Sequence, residues 1–238
     1  ERFADEVEAQ GLFYPPDPAS LDSCTLGGNV AENAGGPRAI RYGVTGNYVL
    51  GLEAALMHGG RLELGGRTVK DVSGYDLTSL VVGSEGTLAV ATRLQLRLLA
   101  KPRAVVAAWA TFATPEGAAG AVTELLASGL DPRCLELMDA ESLSHGALEK
   151  AGMAQEGRGA VLVELDGHED ALESRLVAAG EICEAHGALG VHVATDERTR
   201  RRLWEGRRSI SSSLKEAFPH KISEIGRASC RERVCHRV

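Results

Sequence analysis

The stretch PPDPASLDSCTLGGNVAENAGGPRAIRYGVT, Pro15 to Thr45, and its later echo GYDLTSLVVGSEGTLAVAT, Gly74 to Thr92, decide the reading of this chain. In the first, glycines and small polar residues are too dense for a long helix or strand, yet apolar residues are threaded among them. Such a backbone runs close to something buried. Gly27, Gly28, Gly35 and Gly36 carry no Cβ, so main-chain N–H groups can approach a flat or anionic partner. Ser23, Thr25, Asn29 and Asn33 add short donors and acceptors at the same surface. In the second stretch, Leu80-Val81-Val82 reads as a buried strand, Gly83-Ser84-Glu85-Gly86 as a tight turn and Thr87 to Thr92 as a returning strand. The two then form a pair of clamps on one ligand, although turn glycines alone are also ordinary punctuation in a β-rich domain.

The wording of the whole run is more specific. PPDPAS, CTLGGNVAENAGGPRAIRYG, VLGLE and KDVSGYDLTSLVVGSEGTL, in that order and spacing, resemble the flavin-dependent 2-hydroxy-acid dehydrogenases of the glycolate oxidase, D-lactate dehydrogenase and D-2-hydroxyglutarate dehydrogenase type, in the vanillyl-alcohol-oxidase superfamily. The resemblance runs from Gly11 to Lys221 with small gaps. It implies an α+β chain: the C-terminal part of a PCMH-type FAD-binding domain over residues 1–103, then part of an α/β ferredoxin-like cap, the FAD-linked oxidase C-terminal substrate domain, over 104–223.

The cofactor so implied is FAD. Pro16, Asp17, Ser20, Thr25, Gly27, Gly28, Asn29, Asn33, Gly35 and Gly36 would hold it from the first stretch, and Gly83, Glu85, Gly86, Thr87 and Val90 from the second. Residues 29–34 are expected to form one helical turn whose N-terminus faces the cofactor. Tyr75 and Asp76 are expected to be anchors, and Glu85 to orient its loop through its own hydrogen bonds. Ala89 and Ala91 depart from the family's usual GTLGVIT, and the added methyl at Ala89 is expected to crowd the cofactor slightly.

Oxidising a D-2-hydroxy acid to the 2-oxo acid removes the hydroxyl proton and a hydride from the α-carbon while the carboxylate is held still. Arginine suits that carboxylate because its planar fork binds two oxygens at once. Trp204-Glu205-Gly206-Arg207-Arg208 resembles the family segment whose arginine contacts substrate, which implies Arg207, with Lys221 (from a K-x-S-E match) and Ser211, one helical turn on, as weaker candidates. Without the resemblance, Arg198, Arg200, Arg201, Arg202, Arg207 and Arg208 read as a solvated basic face. No catalytic base is assigned, because the family's histidine-rich motif is not in this chain. His58, beside a turn, reads as solvated, and His145, His168, His186, His192 and His220 show neither an i, i+4 ligand pair nor zinc spacing. The implied partners are a small hydroxy acid and an electron acceptor: a quinone, a cytochrome or an iron–sulfur partner subunit. An alkylglycerone-phosphate synthase, a transferase of the same superfamily, and a non-catalytic binding module are the alternatives.

A chain of 238 residues, 44% hydrophobic, can bury a good core, and a net charge of −7 argues against a nucleic-acid binder. No apolar run reaches the roughly 18 residues of a membrane span and no signal peptide opens the sequence, so the expected location is cytoplasmic, with peripheral membrane attachment left open. The five cysteines form no disulfide or metal pattern; Cys24, Cys134 and Cys183 read as ordinary reduced residues. Cys230 and Cys235 lie in EIGRASCRERVCHRV, Glu224 to Val238, which has no apolar period and is read as a non-native read-through tail. Its four arginines and two glutamates carry +2, which leaves −9 for the rest. The opening ERFADEVEAQG reads as a helix already under way, with Phe3, Val7 and Leu12 on one apolar side, so the sequence is expected to be a fragment cut at both ends that does not turn over alone.

Between these points the pattern is regular. Pro15, Pro16 and Pro18 make a stiff extended segment. VLGLEAAL is a strand, His58-Gly59-Gly60 a hairpin turn, and Arg61 to Leu64 a half-buried strand. Lys101-Pro102-Arg103 marks a boundary, beyond which strands (VVAAWATF, Cys134 to Met138, AVLVELDG, VHVAT) alternate with helices (Pro115 to Ser128, one through Lys150, Glu169 to His186, one from Asp196). That alternation predicts a small sheet covered on one face.

Overall fold

The computed structural model describes residues 2–144 and 157–217; the predicted helix through Lys150, His145, His220, Lys221 and the tail lie outside them. Helix α1 (Arg2–Glu8) leads into β1 (Leu12–Phe13), which pairs antiparallel with β5 (Leu99–Ala100). Val7 is buried, but Leu12 belongs to β1 and is about one-third exposed, so it does not extend the apolar side of α1. Between β1 and β5 lie α2 (Leu26–Glu32), α3 (Ala39–Tyr42), a 3₁₀ turn (Thr45–Tyr48), β2 (Val49–Ala55), β3 (Arg61–Gly65), α4 (Leu77–Val81) and β4 (Val90–Leu96). The strands form an antiparallel sheet in the order β3-β2-β4.

Three local expectations are corrected. Leu80-Val81-Val82 is not a strand: Asp76 caps α4 by accepting from the Ser79 N–H at 2.9 Å, and Leu80 is exposed. A short apolar run fits either structure, and the cap decides it. Arg61 to Leu64 is not half-buried, because β3 is an edge strand on which only Leu64 is partly covered. Tyr75 stands almost fully exposed, so of the expected anchors only Asp76 serves as one.

The C-terminal part is a four-stranded sheet ordered β7-β8-β6-β9, from β6 (Ala104–Phe112), β7 (Cys134–Asp139), β8 (Gly159–Gly167) and β9 (Ala188–Ala194), all neighbours antiparallel. With α5 (Pro115–Ala127) after β6 and α7 (Glu169–Ala185) after β8, this is the expected ferredoxin-like arrangement. The short α6 (Ala140–Ser142) follows β7, and the long α8 (Glu197–Ala217) follows β9. The sheet is covered on both faces rather than one. Val106, Ala108, Ala110 and Phe112 pack under α5 and α7. On the other side, Ala107 and Trp109 pack with Leu203 and Ile210 of α8. The reason is visible in β6, whose apolar run is continuous instead of alternating, as a strand buried on both sides requires. Cys134 and Cys183 are buried free thiols, and burial raises the Cys183 pKa to about 11.

The two parts are joined by a buried ionic cluster. Asp166, 1% exposed on β8, accepts from the Tyr42 hydroxyl at 2.7 Å and pairs with Arg41 and, at 3.2 Å, with Arg133. Glu164, two residues earlier, takes Arg133 at 3.0 Å and the Trp204 indole N–H at 2.7 Å. Phe13, itself buried, has the guanidinium groups of Arg38 and Arg133 5.2 and 5.1 Å from its ring centroid. Burial, with the Asp166 carboxylate beside it, pushes the Tyr42 phenol well above its ordinary pKa.

Removing one member of such a cluster leaves charges buried without partners, so Asp166→Asn should cost about 3–5 kcal/mol in urea unfolding; a loss under ~1 kcal/mol would mean that the cluster is solvated. Gly36 supports the same region by close packing, since a Cβ there would lie 2.3 Å from the Asp17 carbonyl oxygen. Gly36→Ala should therefore cost about 1–3 kcal/mol in the same measurement.

Candidate functional site

Thr25 caps α2, its hydroxyl accepting from the Gly28 N–H at 3.0 Å, so the helix starts at Leu26 rather than at Asn29. Asn33 ends it in the left-handed region (φ 49°), and its side-chain oxygen accepts from the Gly46 N–H at 2.8 Å. The second stretch then meets this helix directly. The Gly83 N–H donates to the Val30 carbonyl and the Glu85 N–H to the Ala31 carbonyl, each at 2.9 Å. Gly83, Glu85 and Gly86 all have positive φ, the conformation that lets the loop reach carbonyls in the last turn of the helix, where Val30 also accepts from the Asn33 N–H at 3.2 Å. The stretches are therefore one hydrogen-bonded framework, not separate clamps on opposite sides. It is the main chain of Glu85, not its exposed carboxylate, that fixes the loop.

At their junction lies a cavity of about 250 Å³. Thr25, Gly27, Gly28, Val30 and Ala31 line one side; Val81, Ser84, Gly86, Ala89, Val90 and Ala91 line the other. A Cβ on Gly27 or Gly86 would meet nothing within 4 Å, so both leave open space at the wall. The Ser84 hydroxyl is buried with no hydrogen-bond partner among the described residues. An apolar floor, bare main chain and one orphaned hydroxyl suit a flat, heteroatom-bearing ring. The volume falls just short of the roughly 300–1,000 Å³ of small-molecule pockets, so it would take one end of a dinucleotide and not the whole. Ala89 borders this space and also packs in the core with Leu52 and Ala54.

The other expected cofactor residues divide by position. Pro16 and Asn29 line a separate cavity of about 630 Å³ on the other side of α2, with Phe3, Tyr14 and Cys24. Asp17 is buried and engaged by Arg38: one carboxylate oxygen accepts from its backbone N–H at 3.2 Å, the other pairs with Nε at 3.1 Å. Burial raises the Asp17 pKa while Arg38 pulls it down. Gly36 packs on Asp17, Asn33 is spent on Gly46, and a Cβ on Gly35 would meet the Val44 side chain at 3.5 Å. Ser20 is exposed, and the Thr87 hydroxyl donates to the Ser84 carbonyl. The residues brought together at the junction are thus Thr25, Gly27, Gly28, Gly86 and Val90. Sequence reasoning missed Ser84, although its place inside G-S-E-G was the available signal.

Helix α8 sorts the six arginines. Arg198, Arg201, Arg202 and Arg208 are exposed, as a solvated face requires, and Arg208 lies over the Trp204 ring at 5.8 Å. Arg200 and Arg207 turn toward the sheet. Arg200 donates to the Val105 carbonyl at 3.0 Å and lies 3.8 Å from Glu164. Arg207, between Leu203 and Ile210 on the inward stripe, donates through Nε to Glu136 of β7 at 2.6 Å. Ser211 lies on the same helix, and its side chain is outside the described set. His58 and His192 are exposed, and His186 reaches Glu124 at 2.7 Å. Among the described residues no helix is long and apolar enough to cross a membrane.

Comparison with known proteins agrees with this architecture. The chain is 39% identical over 221 residues to the glycolate oxidase subunit GlcD of Bacillus subtilis, covering 92% of this chain and 47% of that protein. It is 36% identical over 238 residues to the D-lactate dehydrogenase of Archaeoglobus fulgidus, covering 94% and 52%. The chain thus spans about half the length of these relatives. A solved alkyldihydroxyacetonephosphate synthase superposes with a TM-score of 0.73 at 21% identity, covering 90% of this chain and 41% of that one, which is a likeness of fold. Residues 1–65 match the FAD binding domain family, and residues 101–225 match the family of FAD linked oxidases, C-terminal domain. With a ferredoxin-like sheet in the second segment and a glycine-walled cavity beside the first, the chain belongs to the FAD-linked oxidases.

Proposed function

We propose that the chain binds FAD with one end in the cavity between the glycine-rich stretches, and that the enzyme oxidises a D-2-hydroxy acid of the glycolate or D-lactate class to the 2-oxo acid. The observation that carries the cofactor reading is the cavity lined by Gly27, Ser84 and Gly86, with open space beside both glycines. The reaction class rests on similarity to a glycolate oxidase subunit and a D-lactate dehydrogenase over nine-tenths of the chain. We take residues 1–103 as the cofactor-binding part and 104–223 as the substrate cap, with 224–238 a non-native tail. The change at Ala104, where β6 begins, supports the first boundary.

FAD, when bound, supplies the acceptor for the hydride that leaves the α-carbon. The protein's part is to hold the acid. Arg207 binds its carboxylate, with Ser211 and Lys221 completing the contact, so that the α-carbon is kept in one orientation. The hydroxyl of Ser84, a residue that borders the cavity, is buried without a partner among the described residues and is the group that would hydrogen-bond the ring, and the glycine walls let the ring approach the main chain. The word "subunit" in the relative's name supports an electron-accepting partner, which we place among quinones, cytochromes and iron–sulfur subunits.

Gly27→Leu fills the cavity wall without harming helix α2, since leucine is a better helix former than glycine. The purified variant should keep its circular dichroism and lose FAD affinity by about tenfold or more, read by quenching of flavin fluorescence. Equal affinity would put the cofactor elsewhere. Arg207→Met should weaken binding of D-lactate by about 10- to 100-fold, the value of a charge-assisted hydrogen bond, with FAD affinity unchanged. Unaltered D-lactate binding would remove Arg207 from the site.

A further inference from the structure

Arg207 meets Glu136 in a particular way. Both Nε and Nη2 of the guanidinium stand 2.6 Å from one oxygen, Oε2, of the Glu136 carboxylate. That contact occupies the side-on edge of the fork. The opposite, end-on edge, made by Nη1 and the second hydrogen of Nη2, has no partner among the described residues, and the Arg207 side chain is 36% exposed against 17% for Glu136. A guanidinium carries five N–H donors in a fixed plane, so clamping one edge sets the direction of the other. Glu136 lies on the edge strand β7, opposite Leu162 of β8, in the middle of the register. One turn before Arg207, Trp204 donates to Glu164 on the same sheet face, so two carboxylates grip α8 at neighbouring turns.

We propose that Glu136 is a positioning residue: by filling the side-on edge of Arg207 it presents the end-on edge, preset, to the carboxylate of the hydroxy acid. This rests on Arg207 being the carboxylate-binding residue. The geometry makes a prediction opposite to simple electrostatics. A nearby anion ought to compete with the substrate, so deleting its charge should tighten binding; if it instead aims the fork, deleting it should loosen binding.

The test is titration of the 238-residue chain with D-lactate at constant ionic strength, following the side-chain Nε resonance of Arg207 by NMR, assigned through Arg207→Lys. Glu136→Met removes both the charge and the acceptor and should raise the dissociation constant by about five- to tenfold, because the loose fork must be ordered on binding. Glu136→Gln keeps an oxygen acceptor for Nε–H and should recover affinity to within about twofold of the parent. Tighter binding in Glu136→Gln, or unchanged or tighter binding in Glu136→Met, overturns the positioning role. Should Glu136→Met not fold, the glutamine variant decides alone: parental affinity supports the proposal and tighter binding sinks it. Arg207→Met separates the two readings. If it leaves D-lactate binding unchanged, the assignment of Arg207 fails; if it weakens binding while the Glu136 variants do not follow the stated order, only the positioning role fails.

Discussion

The structure depends on a carboxylate that is almost wholly out of water. Asp166 is 1% exposed, and three arginines and a tyrosine converge on it: Arg41 and Tyr42 from the end of the first glycine-rich stretch, Arg133 from just before β7, and Arg175 of α7, which donates to its carbonyl at 2.9 Å. A lone buried charge would cost several kcal/mol, and only this density of partners makes it tolerable. An apolar contact of the same size could slide, whereas a carboxylate shared among fixed donors has one arrangement. The price of the cluster is stability; its return is a defined relation between the glycine-rich segment and the cap sheet.

The glycine-rich segment is held by the same logic at smaller scale. It has no ladder of its own, so its backbone groups find individual partners. The Thr45 N–H and hydroxyl both donate to the Ala34 carbonyl, the Val44 N–H to the Asn47 side chain, and the Tyr48 hydroxyl to the Tyr42 carbonyl. This explains why the segment mixes small polar residues with glycine. Some of these residues are needed to close the fold on itself, and those, Asp17, Asn33 and Gly36 among them, are not free to hold a ligand. Others, Gly27 and Gly86, leave space that nothing in the described fold fills.

That division marks what could be read from sequence. The strands and helices of the cap were legible because their apolar runs are long and their caps explicit, such as Thr114 before Pro115. Motif wording led to the family, and spacing located Arg207 on a helix. What could not be read was which glycine serves the fold and which the cavity, since both kinds look alike until the neighbouring backbone is in place. Leu80-Val81-Val82 was misread for a related reason: three apolar residues have no period, and the deciding signal was the Asp76–Ser79 cap just upstream. Likewise Glu136 carries no mark in the sequence of its contact with a residue 71 positions away.

The cluster and the inward face of α8 are parts of one arrangement, through the geometry of β8. Glu164 and Asp166 are two residues apart, so they project from the same side of the strand, separated by about 6–7 Å. Asp166 takes the donors of the glycine-rich segment; Glu164 takes Trp204 and lies near Arg200, both on the helix that carries Arg207. Arg133 touches both carboxylates and cannot move toward one without leaving the other. A strand in the interior of a sheet, paired on both sides, does not stretch, so the spacing between these two attachment points is fixed by covalent geometry and register. The spacing between the attachment of the glycine-rich segment at Asp166 and that of α8 at Glu164 is therefore set by the backbone of β8. It follows that changes at Asp166 and at Glu164 should not be independent: residues sharing a partner couple, and Arg133 is the partner they share.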